Sequence, residues 1–206
     1  MVNPSTLAAP IAGVVDVYRV GGRGGPRSGP LVPADLLIEL PHGATTAYDY
    51  HRLAGRMRST LPPNLVEFYF VNTDVGTPEV GALLAAMLAE PWRYRDDLGA
   101  FADRAGRSVL VVRSRIPRTL VDCNRTDDPP AGSGLTGMIP GYIRDAGDLA
   151  LLRQLHSAYL ATARAGWEEV IAAGGRGLSL HSYAPRTVAI ERVTDSIVDE
   201  LRAAWQ

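Results

Sequence analysis

The chain is predicted to fold as an α/β protein of three layers, αβα, and three observations carry that expectation. First, residues 36–40, LLIEL, begin a mostly apolar run of the kind that marks a strand buried on both faces, and the run stops at Pro41-His42-Gly43. Second, further strand-like runs recur at 65–71, 108–112 and 178–180, with helix-like segments between them. Third, 148–173 is a long helical pattern in which Leu149, Leu152, Leu155, Tyr159 and Ala163 fall on one stripe. Strands that alternate with helices describe a sheet covered on both sides. At 206 residues the chain is long enough for one domain, 1–206, with a substantial core.

Taken in order, residues 1–12 are polar with several Pro and Ala, which predicts a loosely ordered segment. Residues 14–20, VVDVYRV, alternate as a half-buried or edge strand does. The glycines of 21–30 predict a turn or mobile loop. Their spacing matches neither the dinucleotide fingerprint nor the Walker pattern, and no lysine follows, so a phosphate cradle is excluded. Residues 51–60 predict a short Arg-rich helix stopped by Pro62-Pro63, and 65–71, LVEFYFV, an aromatic strand. Thr77 is the expected N-cap of the next helix, with Pro78 at its first position, Glu79 in its first turn and 80–88 supplying its apolar face. Residues 91–101 read as an amphipathic surface segment, and 126–141 as a Pro/Gly/Asp-rich loop placed to act as a lid. Gly174-Gly175 ends the long helix, and 193–205 predicts a final amphipathic one.

Composition narrows the function classes. A hydrophobic fraction of 46% and a charged fraction of 21% are ordinary for a soluble globular protein. A net charge of -1 gives no basis for binding nucleic acid or an anionic membrane, so neither is expected as a partner. All 21 basic residues are arginine, which excludes lysine chemistry such as a Schiff base. The single cysteine, Cys123, excludes an internal disulfide and a cysteine-only metal site. No apolar run approaches a membrane span, and the first residues lack a basic stretch followed by an apolar one. A cytoplasmic protein is expected, with an oligomer left open.

The chemistry-bearing residues gather at the ends of the expected strands. His42 follows the first buried strand, Asp74 follows 65–71, Asp122, Asn124 and Arg125 follow the third, and His181 follows the last. Open α/β sheets bind ligands beyond the carboxyl ends of their strands. Singly, each residue has a plainer reading: His42 as a solvated strand end, Asp74 as a turn former, the arginines of 113–118 as an exposed basic loop. Together, two histidines and a carboxylate from separate strand ends supply three ligands to Zn²⁺ and leave a fourth position for water. Mn²⁺, Fe²⁺ or Co²⁺ suit the same donors. Glu39 lies inside an apolar run, where a carboxylate needs a partner. His156 lies beside the stripe of the long helix, where histidines are more often packed or solvated than functional. Arginine is the side chain suited to gripping carboxylates bidentately.

Four segments in this order, ELPHGAT (39–45), NTDVGT (72–77), VDCNR (121–125) and LSLHS (178–182), resemble the N-formylglutamate amidohydrolase family. Its members show a PH-[SAG]-G-type turn, a D-T-D-like segment before a helix, a VDLNR stretch and a D-x-HS strand end. The resemblance spans about residues 36 to 186, and the VDxNR piece is its most specific part. It implies a phosphorylase/hydrolase-like fold with a mixed sheet, akin to zinc-dependent exopeptidases. It also implies zinc-dependent hydrolysis of a small acidic N-acyl amino acid, such as N-formylglutamate to formate and glutamate. On this chain it implies His42 and His181 as zinc ligands, with Asp74 or Glu39 as the carboxylate ligand and the other acid as general base. Arg115, Arg118 and Arg125 would grip substrate carboxylates, Asn124 would orient the carbonyl or a ligand, and Asp122 would hold an arginine. The family's histidine in the long helix falls at His156, an acid/base candidate without the usual preceding tyrosine. Cys123 stands where the family has leucine, Ser179 stands where it has an acid, and the chain ends one helix after His181. Two alternatives follow from the same features: a zinc amidase or peptidase acting on a peptide or cell-wall amide, and a catalytically silent binding protein on the same fold.

Overall fold

The elements, in chain order, are strands β1 (Val15–Val20) and β2 (Leu36–Leu40), helices α1 (Ala47–Ala54), α2 (Leu65–Asn72), α3 (Thr77–Ala89) and the short α4 (Arg95–Leu98), strand β3 (Val109–Ser114), helix α5 (Ala146–Ala172) and strand β4 (Arg176–Ser179). They come from a computed structural model that describes residues 8–21, 33–103, 105–125 and 137–182, with positions 199 and 203. The strands form one mixed sheet in the order β1-β3-β2-β4. β2 runs parallel to both β3 and β4, and β1 closes the far side of β3 antiparallel. The protein is therefore a mixed α/β fold, as the alternation of elements predicts. No helix among the described residues is long and apolar enough to cross a membrane.

The two faces of β2 and β3 are apolar for different partners. Leu37, Leu110 and Val112 point to α5, which comes close because Gly166 faces them. Ile38, Leu40, Val109 and Val111 form the opposite cluster, under α3, where Gly81 meets Ile38 and Leu40. Alternation along a strand thus divides the core into two clusters, one above and one below the sheet. The edge strand β1 is tied across the α5 face by Arg19, whose guanidinium donates to both oxygens of buried Glu169 at 2.5 and 2.7 Å. Ala34 N–H donates to the same carboxylate, so this enclosed acid is fully partnered.

Several elements differ from the sequence expectation. Residues 65–71 form helix α2 rather than a strand, because Leu65, Phe68 and Tyr69 are the buried residues and their spacing is helical. Local β-propensity gives way to that packing. The first helix starts at Ala47 rather than at 51, because Thr46 and Asp49 build a capping box, and it ends at Ala54, with Gly55 as C-cap, rather than at 60. Helix α3 is entered through Gly76 at φ 85, and the Thr77 hydroxyl turns back to donate to Asp74 O at 2.8 Å instead of capping. Left-handed backbone at that position is where glycine costs least. Residues 91–103 are a succession of 3₁₀ turns around α4 rather than one amphipathic segment. β3 runs on to Ser114, taking in Arg113. The expected lid at 126–141 lies outside the described residues up to 136, as do most of the loop at 21–30 and nearly all of the helix at 193–205.

Candidate metal centre

The C-terminal ends of β2, β3 and β4 lie on one edge of the sheet, since the three strands are mutually parallel. β2 ends at Leu40, and two residues on, His42 is carried on a tight turn. That turn is fixed from β3: Arg113 Nε donates to Gly43 O at 2.7 Å. A Cβ on Gly43 would lie 2.5 Å from Arg113 Cγ, so only glycine allows the approach. β4 extends its ladder by one bond, Leu180 N to Glu39 O at 2.8 Å, and delivers His181 beside His42. The two imidazoles meet edge to face with centroids 5.0 Å apart. Asp74 arrives on the turn between α2 and α3, not from a strand end. Thr73 pins that turn, its hydroxyl donating to Ala44 O at 2.7 Å.

These three residues form the one group among the described residues whose ligand atoms converge as a metal site requires, all within 4.8 Å of one another. His42 Nδ1 lies 3.3 Å and His181 Nδ1 3.1 Å from the same carboxylate oxygen, Asp74 Oδ2. The backbone N–H of Ser182 donates to that oxygen too, at 3.2 Å. Two imidazole nitrogens and one carboxylate oxygen facing a shared point suit a divalent ion such as zinc, so the donor set fits. Burial lowers the basicity of His42, but hydrogen bonds to Asp122 and Asp74 outweigh it and leave its pKa raised. Burial likewise opposes ionisation of Asp74, and its hydrogen bond and charge interaction with His42, with Ser182 N–H and His181, overcome that and lower its pKa.

The remaining candidates divide between the site and its supports. Asp122, expected to hold an arginine, does so: Arg118 Nε and Arg125 Nε lie 3.3 and 3.4 Å from its Oδ2. Its other oxygen lies 2.8 Å from His42 Nε2 and accepts Asn124 N–H at 3.0 Å. Those partners outweigh burial and hold its carboxyl well below the usual carboxylate range. Arg118 also approaches Asp74 Oδ1 at 3.9 Å, and the side chains of Arg118 and Arg125 are 27% and 28% exposed. Asn124 contributes its backbone, and its side chain is exposed. Arg115 is committed elsewhere, donating to Asp49 and to Asp16 across the base of α1, and none of its hydrogen bonds reaches the cluster. Glu39 lies outside the cluster, with Tyr159 Oη and Trp167 Nε1 donating to its two oxygens at 2.7 and 2.8 Å. His156 is buried in α5 with Nε2 3.0 Å from Arg125 O. Cys123 packs as a buried thiol against Ser114, its pKa pushed up to about 12 by burial.

No family model, curated protein or solved structure matches this chain. Its class therefore rests on its own geometry: a mixed α/β protein with a His/Asp/His group able to hold a metal ion at the carboxyl ends of its parallel strands.

Proposed function

We propose that the protein is a zinc-dependent amidohydrolase of small acidic N-acyl amino acids, on a three-layer, hydrolase-like α/β sheet. The observation that carries this reading is the convergence of His42, Asp74 and His181 within 4.8 Å. These residues would hold the ion through two imidazole nitrogens and one carboxylate oxygen. Zinc at such a site supplies Lewis-acid polarisation of an amide carbonyl and activation of water. Arg118 and Arg125, partly exposed at the rim, supply positive charge for a substrate carboxylate, for which a guanidinium is well shaped. The likeness of 39–45, 72–77, 121–125 and 178–182 to the N-formylglutamate amidohydrolases suggests N-formylglutamate as first substrate.

The test is metal content of protein purified without chelator and then offered zinc, beside folded His42→Ala and His181→Ala variants. About one zinc per chain in the wild type, lost in both variants, is the expected result. Formate release from N-formylglutamate is the assay that follows. A folded wild-type protein that takes no zinc overturns the reading. Zinc binding without cleavage of any N-acyl amino acid or peptide amide would leave a metal-binding protein without this activity.

A further inference from the structure

His42 is held between carboxylates on both sides of its ring. Nδ1 faces Asp74 at 3.3 Å and Nε2 faces Asp122 at 2.8 Å. The two acids are not equivalent. Asp74 Oδ2 is the point on which His181 Nδ1 and Ser182 N–H also converge, whereas Asp122 is fixed by Arg118, Arg125 and Asn124 N–H. A ligating imidazole presents a lone pair on one nitrogen and keeps its proton on the other, and the partner of the protonated nitrogen decides which is which. We infer that Asp122 is a positioning residue: it accepts Nε2–H of His42, so that His42 offers Nδ1 to the metal alongside Nδ1 of His181. This inference rests on the metal reading above.

The hydrogen-bond pattern around Asp122 makes the assignment exacting. Oδ1 accepts from Asn124 N–H and faces His42 Nε2, and Oδ2 accepts from two arginines, so each of these four described groups turned towards the carboxylate can donate. Asparagine in its place has one oxygen and one NH₂. With the NH₂ towards the arginines, it opposes two guanidinium groups. With the NH₂ towards His42, it opposes Asn124 N–H and favours the tautomer with the proton on Nδ1, which removes the lone pair from the metal. His156 acts one step further out, 3.0 Å from Arg125 O on the turn that bears these groups.

The experiment compares wild type with Asp122→Asn by zinc titration and by ring ¹⁵N spectra of histidine-labelled, zinc-loaded protein. Through-bond correlation from the His42 backbone identifies the His42 ring signals among the four histidines. The wild type is expected to show His42 bound through Nδ1 with its Hε2 proton retained. Asp122→Asn, still folded by circular dichroism, is expected to bind zinc roughly 10–100-fold more weakly and to lose that protected proton. Equal zinc affinity with an unchanged ring signature overturns the inference and leaves the metal site standing. Coordination through Nε2 in the wild type also overturns it. A wild type that takes no zinc overturns both readings together. Should Asp122→Asn fail to fold, the wild-type ring signature alone decides the tautomer.

Discussion

Glu39 shows how one residue can look catalytic in sequence and act as an anchor in the fold. It stands on β2 three residues before His42, yet alternation turns it to the α5 face, where Tyr159 and Trp167 donate to its two oxygens. Burial, followed by the charge and hydrogen bond of Glu39, pushes the Tyr159 hydroxyl well above its ordinary pKa and keeps it a donor. Glutamine at this position would turn its NH₂ towards one of those donors, leaving a mismatched polar group in a partly buried place. Glu39→Gln is therefore expected to lower stability to denaturant by about 1–3 kcal/mol while zinc stoichiometry stays at the wild-type value. A variant of wild-type stability that loses zinc would instead place Glu39 among the ligands. His156 belongs to the same category, a buried imidazole that supports the Asp122–Arg125 turn through its backbone.

Among the elements, the long helix α5 is held at its start by two acids with separate tasks. Asp145 caps it by accepting Gly147 N–H and Asp148 N–H. Asp148 reaches out and accepts the N–H groups of Arg58 and Ser59 after α1. Burial raises the pKa of Asp148, but the Ser59 hydroxyl, the Ser59 and Arg58 N–H groups and the Arg58 charge outweigh it, so the net shift is down. A carboxyl depressed by folding stabilises the native state above its unfolded pKa, and the contribution disappears as pH falls through the folded one. The stability gap between wild type and Asp148→Asn is thus expected to be constant near neutral pH. It should narrow as pH drops below about 4 and close below the depressed value. A gap that persists unchanged at low pH would show that the effect is steric. The elements were unequally legible beforehand. β2 and α5 announce themselves because their apolar patterns are long or continuous, whereas α2 is written in aromatic and β-branched residues and only its 65, 68, 69 spacing betrays a helix. The capping box at Thr46 and Asp49 was a readable signal for the true start of α1.

For the molecule as a whole, the cluster joins parts of the chain that no local pattern links. His42 and Asp122 are 80 residues apart, and Asp74 and His181 are 107 apart. Strand ends could be read from apolar runs that stop at polar residues, but which ends meet depends on the sheet order β1-β3-β2-β4, which the runs do not encode. The same is true of Arg115, whose place in an arginine-rich stretch suggested the site although its guanidinium closes the base of α1. The sheet order also sets which part of the molecule a bound ion would steady. Two donors sit on the turn just after the inner strand β2 and on the α2–α3 turn, but His181 follows β4, a four-residue strand at the end of the described sheet with three of its residues exposed. A strand so short has little of its own to resist fraying. An ion that binds only when all three donors are assembled favours the closed form by a factor of one plus its free concentration over its dissociation constant. Amide exchange at Leu180, whose N–H closes the last rung to Glu39, should therefore slow about 100-fold at free zinc one hundred times that constant, provided it exchanges through fraying of β4. Amides of β1, far from the ion, should keep their rates if they too open by local fraying. The ion would then act as a clasp on β4, the outermost strand of the described sheet.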